Sequence, residues 1–156
     1  MRHGFDTSLQ VAHQVACHAD HAGARQRVCE RRNAGEGFAI AGQVVTEFVH
    51  VVTDAKRSTA LLTMEQALER AHAWWDSPDV ERVEPDDGAV KWFLDAMAKH
   101  QLGGKRVLDA MPAGTYRSAG IMSLLTLNAT DFEVFGEFAC LGVVRDERRE
   151  GRGTGR

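Results

Sequence analysis

Met122-Ser123-Leu124-Leu125-Thr126-Leu127-Asn128-Ala129-Thr130-Asp131-Phe132 is the stretch whose reading decides the fold. Apolar residues that give way abruptly to polar ones describe a buried strand of a parallel sheet. In open α/β sheets ligands bind beyond the carboxyl ends of such strands. Asn128 and Asp131 stand at that edge. Working outward, residues 106–108, apolar at Val107 and Leu108, form a second short run that stops at Asp109, and Gly4-Phe5 forms a third that stops at Asp6. Three acids thus follow three candidate strands.

The segments between them have helical character. Residues 7–16 place Leu9, Ala12, Val15 and Ala16 on one side, with Thr7 or Ser8 able to cap the start. Residues 20–33 form a second helix carrying Arg25, Arg27, Arg31 and Arg32, and Gly35 and Gly37 end it. A short strand is expected at 38–40. Residues 42–55 repeat Val44, Val45, Phe48, Val51 and Val52 at helical spacing, although so many β-branched residues also permit a strand. Glu47 is the one acid between Val44 and Val52 in that segment, and a half-buried carboxylate needs a partner. Residues 63–75 open on a capping-box pattern, Thr63 to Gln66, with Leu68, Ala71, Trp74 and Trp75 as the expected core face. A strand at 80–84, a helix at 86–100 begun by Pro85, a helix at 111–119 closed by Gly120, a turn at 132–136 and an edge strand at 138–144 complete the chain. Alternating strands and helices predict a three-layer α/β/α sandwich with a mainly parallel central sheet.

With 156 residues, 44% of them hydrophobic, the chain can bury one core, so a single domain over 1–144 is expected. The mixed charges of 145–156 show no periodicity and predict a disordered tail. No run of 18 apolar residues and no signal-peptide pattern is present, which predicts a soluble, cytoplasmic protein without a membrane span. Cys17, Cys29 and Cys140 are odd in number and widely spaced, which suits reduced core residues and no disulfide framework. His13, Cys17 and His21 follow i, i+4, i+8 spacing with His18 and Asp20 nearby, a conceivable zinc set; semi-buried and surface side chains are the plainer reading. The four helical arginines suit RNA phosphates or a solvated face, and the net charge of −3 does not advertise a nucleic-acid binder. Trp74, Trp75 and Trp92 read as core or interface residues.

If Asp6, Glu47, Asp109 and Asn128 or Asp131 converge at one sheet edge, their chemistry is constrained. Two carboxylates about 4 Å apart repel by roughly 4 kcal/mol at an effective dielectric of about 20, so a cluster requires protons or a cation. Hard divalent ions, Mg²⁺ or Mn²⁺, prefer oxygen ligands, lower the pKa of bound water and clamp the oxygens of a phosphoryl transfer. Singly, each residue has a plain structural reading. Asp6 or Asp109 can be a helix N-cap, Glu47 a salt-bridged acid, and Asn128 with Asp131 an Asx-type turn.

Four segments in order, Phe5-Asp6-Thr7-Ser8, Val44-Val45-Thr46-Glu47-Phe48, Val107-Leu108-Asp109-Ala110 and Leu124-Leu125-Thr126-Leu127-Asn128-Ala129-Thr130-Asp131-Phe132, resemble the motifs of PIN-domain ribonucleases, and their spacing is most similar to VapC toxins of toxin–antitoxin pairs. The resemblance spans roughly residues 4–144. It implies a Mg²⁺- or Mn²⁺-dependent endoribonuclease, commonly a homodimer, that hydrolyses RNA to 5′-phosphate and 3′-hydroxyl ends and is held inactive by a cognate antitoxin. By position, Asp6, Glu47 and Asp109 match the three family acids, Asn128 with Asp131 matches the variable fourth motif, and Thr7 and Thr126 match flanking hydroxyls. Two departures follow the third acid. Pro112, at N3 if Asp109 is an N-cap, removes a backbone donor, and Gly114 weakens the same turn by about 1 kcal/mol relative to Ala. They motivate an alternative, a catalytically weak PIN-like module that binds RNA or protein. A phosphatase or receiver-like domain is disfavoured by Ser8 two residues after Asp6 and by the lack of any lysine after Lys105.

Overall fold

A computed structural model describes residues 1–56 and 62–143. The tail expected to be disordered lies outside the described residues. Strand β1, Arg2–Phe5, is the middle of a five-stranded sheet of order β3-β2-β1-β4-β5, in which β2 is Gly37–Ala41, β3 is Val80–Val83, β4 is Ser123–Leu125 and β5 is Ala139–Leu141. Every pairing is parallel. β1 is buried from His3 to Phe5 and β4 throughout, as a strand covered on both faces must be.

The chain moves from β1 outward to β3 through α1 (Thr7–Gln14), α2 (His21–Asn33), α3 (Gly42–Thr53) and α4 (Met64–Trp75). It then crosses back to β4 through α5 (Asp87–Lys99), a 3₁₀ turn (Gly104–Arg106) and α6 (Val107–Ser118), and α7 (Ala129–Glu133) leads to β5. Because parallel crossovers are right-handed, the outward and return helices cover opposite faces, which gives the three-layer sandwich. The core joins Phe5, Phe38, Ile40, Trp74, Tyr116 and Leu124 across these layers, and Phe5 packs edge-on against Trp74 at 4.5 Å between ring centres. No helix among the described residues is long and apolar enough to cross a membrane.

Local chemistry explains most boundaries. The Thr63–Gln66 capping box forms in full at the start of α4. Gly120, at φ 74°, turns the chain from α6 into β4. Gly114 reflects contact: a Cβ there would stand 2.8 Å from the carbonyl of Ala89 on α5, so its absence lets α5 and α6 approach.

Several expectations are corrected. Residues 106–108 are no strand; the 3₁₀ turn runs directly into α6, whose third residue is Asp109. A run as short as Val107-Leu108 cannot by itself distinguish a strand from the first turn of a helix, and both residues are exposed. Pro112 therefore sits inside α6, beyond the first turn, and the helix continues past it. Residues 129–133 form α7 where a turn was expected slightly later. On α4 the buried residues are Ala67, Ala71 and Trp74, while Leu68 is exposed and lines with Val45, Val49 and Trp75 an apolar groove of about 470 Å³ between α3 and α4. Cys17 and Cys29 are exposed and Cys140 half-buried; all three are free, but they are not core residues.

Candidate functional site

The carboxyl ends of β1 and β4 open into a cleft of about 440 Å³ lined by Asp6, Glu47, Asp109 and Asn128. Asp6 follows β1 at the N-cap position of α1, yet its side chain makes no capping bond. It is occupied sideways. Thr126 Oγ1 donates to Asp6 Oδ2 at 2.8 Å, and Ser8 Oγ donates to the same oxygen. Each hydroxyl in turn accepts from the backbone after β4, Thr126 from the Asn128 N–H at 3.0 Å and Ser8 from the Leu127 N–H at 3.0 Å. Two amides of one loop are thus relayed through two hydroxyls onto one carboxylate oxygen. These bonds favour the charged form, but burial outweighs them and pushes the Asp6 carboxyl above its ordinary range.

Below Asp6 the strand ends are locked by Tyr116 of α6. Its buried hydroxyl donates to the Phe5 carbonyl at 2.6 Å and accepts from the Ala41 N–H at 3.1 Å, so β1 and β2 end level with each other. Glu47 projects from α3, which starts immediately after β2, and its Oε2 accepts from Thr7 Oγ1 at 2.7 Å. Thr7, Ser8 and Thr126 therefore all engage carboxylates.

Asp109 meets the cleft from the first turn of α6, and Arg106 Nε donates to its Oδ2 at 3.0 Å. Burial, followed by the charges of Asp6 and Asp131, pushes its carboxyl up to about 6 despite that guanidinium. Asn128, at the N-cap position of α7 and exposed, lines the cleft. Asp131 stands one step behind, where its carbonyl accepts from Arg106 and its Oδ1 lies 3.7 Å from the same guanidinium. The structure thus brings Asp6, Glu47, Asp109 and Asn128 to one cleft and leaves Asp131 at its rim.

Sequence reasoning missed Ser8, Arg106 and Tyr116 as site-shaping residues, and it missed that His18 and Asp20 line the cleft from the loop between α1 and α2. Ser8 is visible as Asp-x-Ser spacing, but its other partner lies 119 positions away. The conceivable zinc set does not form. His21 Nδ1 bonds the Ala12 carbonyl at 2.8 Å, and His18 Nδ1 accepts from the Asp20 N–H at 3.0 Å. His13 stacks on Trp74 and is pushed down to about 4 by burial and by Arg25 and His21. Three of the four arginines on α2 staple the fold: Arg27 to the Gly142 carbonyl, Arg31 to Glu36 and Arg32 to Asp79.

Asp6, Glu47, Asp109 and Asn128 offer oxygen donors, and the charge of Asp6 adds to burial in raising the Asp109 carboxyl, which suits a hard divalent ion. Among the described residues, however, no three acid, histidine or cysteine side chains stand close enough to grip one ion together. Mg²⁺ commonly retains several waters and uses one or two carboxylates, so the arrangement fits an ion held partly through water.

No family model matches the sequence, and no curated protein does. Among solved structures, the chain is similar to VapC20 of Mycobacterium tuberculosis, described as a sarcin–ricin loop cleaving toxin, with a TM-score of 0.69 at 16% identity over 89% of this chain and 97% of that one. It is also similar to a chain of VapBC2 from Rickettsia felis bound to a promoter DNA fragment (TM-score 0.67, 14% identity, 92% and 100% covered). A chain of DNA-bound VapBC from Salmonella typhimurium gives 0.65 at 17% identity, with 91% and 98% covered. The protein has the PIN-domain fold of the VapC toxins.

Proposed function

We propose that this protein is a VapC-like toxin, a Mg²⁺- or Mn²⁺-dependent endoribonuclease. The observation that carries the reading is the convergence of Asp6, Glu47, Asp109 and Asn128, separated by up to 122 positions in sequence, on one cleft at the carboxyl edge of the sheet. Asp6, Glu47 and Asp109 would hold the ion, with Asn128 adding a neutral oxygen and Asp131 negative charge from the rim. A divalent ion bound there supplies Lewis acidity, activating water and neutralising charge on the scissile phosphate. The chain's own part is positional. Ser8 and Thr126 fix the Asp6 carboxylate, Thr7 fixes Glu47, and Tyr116 fixes the strand ends from which both rise. A cognate antitoxin accords with the fold and with the apolar groove beside α3, and a homodimer accords with the family resemblance.

The test is RNA cleavage with added Mg²⁺ or Mn²⁺, comparing the wild type with Asp6→Asn and Glu47→Gln. Undiminished cleavage in both variants, or in excess chelator, would falsify the metal role. The second reading, RNA or protein binding without turnover, is favoured by the wide spacing of the acids. It predicts RNA or antitoxin binding with no metal-dependent product. The two sequence features that first motivated it carry less weight, since Gly114 serves helix packing and α6 runs through Pro112.

A further inference from the structure

The four carboxylates of the site are not treated alike. Asp6 is held by the hydroxyls of Ser8 and Thr126, whereas Asp109 faces a full positive charge. Arg106 ends the 3₁₀ turn just before α6, and its backbone there is helical, at φ −79° and ψ −8°. That geometry lays its side chain along the first turn, three residues from Asp109. Nε meets Asp109 Oδ2 at 3.0 Å, one terminal nitrogen donates to the Asp131 carbonyl, and the other stands 3.7 Å from Asp131 Oδ1. The guanidinium is three-quarters buried and bridges an acid of the cleft to an acid of its rim.

We propose that Arg106 is a resident counter-ion that sets the divalent-ion affinity of the cleft, because an incoming cation has to share Asp109 with the guanidinium or take it away. The proposal rests on the metal-dependent reading above and adds to it a positioning residue outside the four motifs. The alternative is a brace, in which Arg106 only ties α6 to α7. The two differ in sign. A competing cation lowers metal affinity, so removing it tightens binding; a brace that presents Asp109 raises affinity, so removing it loosens binding. A positive charge a few ångströms from a divalent ion, even screened by nearly water-like surroundings, changes affinity by about tenfold.

The experiment is Mn²⁺ titration of the full chain, read by the electron paramagnetic resonance of free Mn²⁺, for the wild type, Arg106→Met, Arg106→Lys and Asp6→Asn. Arg106→Met is expected to bind Mn²⁺ about tenfold more tightly at low salt, with the gain shrinking near molar KCl as charges are screened. Arg106→Lys, which restores the charge, should return towards wild-type affinity. Arg106→Gln keeps a donor for the Asp131 carbonyl and is read in the same way should Arg106→Met not fold. Wild-type binding that Arg106→Met and Arg106→Gln leave unchanged or weaken overturns the counter-ion and makes Arg106 a brace. Absence of wild-type binding, or equal binding by Asp6→Asn, overturns the metal reading itself and the counter-ion with it.

Discussion

Strands β1 and β4 lie side by side, and their two ends hold polar residues in opposite ways. At the amino ends, His3 is buried between Ser123 and Glu36, with Nδ1 2.8 Å from Ser123 Oγ and Nε2 2.8 Å from Glu36 Oε2. A carboxylate only accepts, so Nε2 carries the proton. Arg31 adds a cationic partner, and the His3 hydrogen bond together with it holds the Glu36 carboxyl below its ordinary range. At the carboxyl ends, Asp6 receives the neutral hydroxyls of Ser8 and Thr126, and burial nevertheless pushes its carboxyl up. One end completes its charges internally. The other gathers Asp6, Glu47 and Asp109 around one cleft with Arg106 beside Asp109, and burial raises the proton affinity of Asp6 and Asp109 there.

The largest expected effect separates the two ends by function. Asp6→Asn is expected to reduce metal-dependent RNA cleavage by about a thousandfold or more, since it removes a carboxylate from the ion's surroundings. The same change should leave thermal stability equal or higher at neutral pH, because a neutral amide escapes the burial that disfavours the Asp6 charge. A variant that loses activity together with stability would place Asp6 among the structural residues and erase the contrast.

The next effect inverts that pattern. His3→Leu leaves Ser123 and Glu36 without their buried partner and is expected to cost about 2–3 kcal/mol in denaturant unfolding, with Arg31 limiting the loss. Mn²⁺ affinity of the folded variant should match the wild type. A shift in metal binding would show that the two ends communicate along β1.

Much of this contrast is legible in the sequence, and the reasons for the rest are specific. The run 122–132 and the motif around Phe5-Asp6 announce strands because buried parallel strands are apolar throughout and stop at the edge. Glu47 stands out because a lone acid on the Val44, Phe48, Val52 face of α3 demands a partner. Asp109 was recognised as a site acid through the wrong element, since its helix begins two residues earlier than any cap signal suggests. Arg106, Ser8 and Tyr116 could not be assigned at all, because their meaning lies in contacts with residues 25, 119 and 111 positions away. Local pattern fixes strands; only the tertiary arrangement says which hydroxyl meets which acid.

The pH dependence of stability also has opposite signs at the two ends. Asp109 has a folded pKa of about 6 against an ordinary 3.8, so the native state holds its proton more tightly than the unfolded chain. Its contribution is therefore absent below about pH 4 and destabilising as pH rises towards 6, by up to about 3 kcal/mol. Glu36, with a lowered folded pKa, contributes stability above its ordinary 4.5 that is lost on acidification. Urea unfolding of Asp109→Asn from pH 4 to 7 should remove the decline and retain the loss at low pH. An unchanged profile would mean that Asp109 does not titrate in this window.

The smallest pair compares two hydroxyls in equivalent places. Ser123 and Thr126 are both buried on or beside β4, one bonded to a histidine that also meets Glu36 and one to an acid that also accepts from Ser8. Ser123→Ala and Thr126→Val should each cost about 1 kcal/mol in stability, the ordinary net worth of a hydrogen bond. They should part company on metal binding. Thr126→Val withdraws a donor that favours the charged form of Asp6 and also frees the Asn128 N–H that the hydroxyl accepts from, so Mn²⁺ affinity should fall a few-fold. Ser123→Ala should leave Mn²⁺ binding unchanged, because its hydroxyl meets His3 at the opposite end of the sheet. Equal effects of the two substitutions on Mn²⁺ binding would mean that the hydroxyls act through strand position alone, and that the difference between the two ends of the sheet is one of packing rather than of charge.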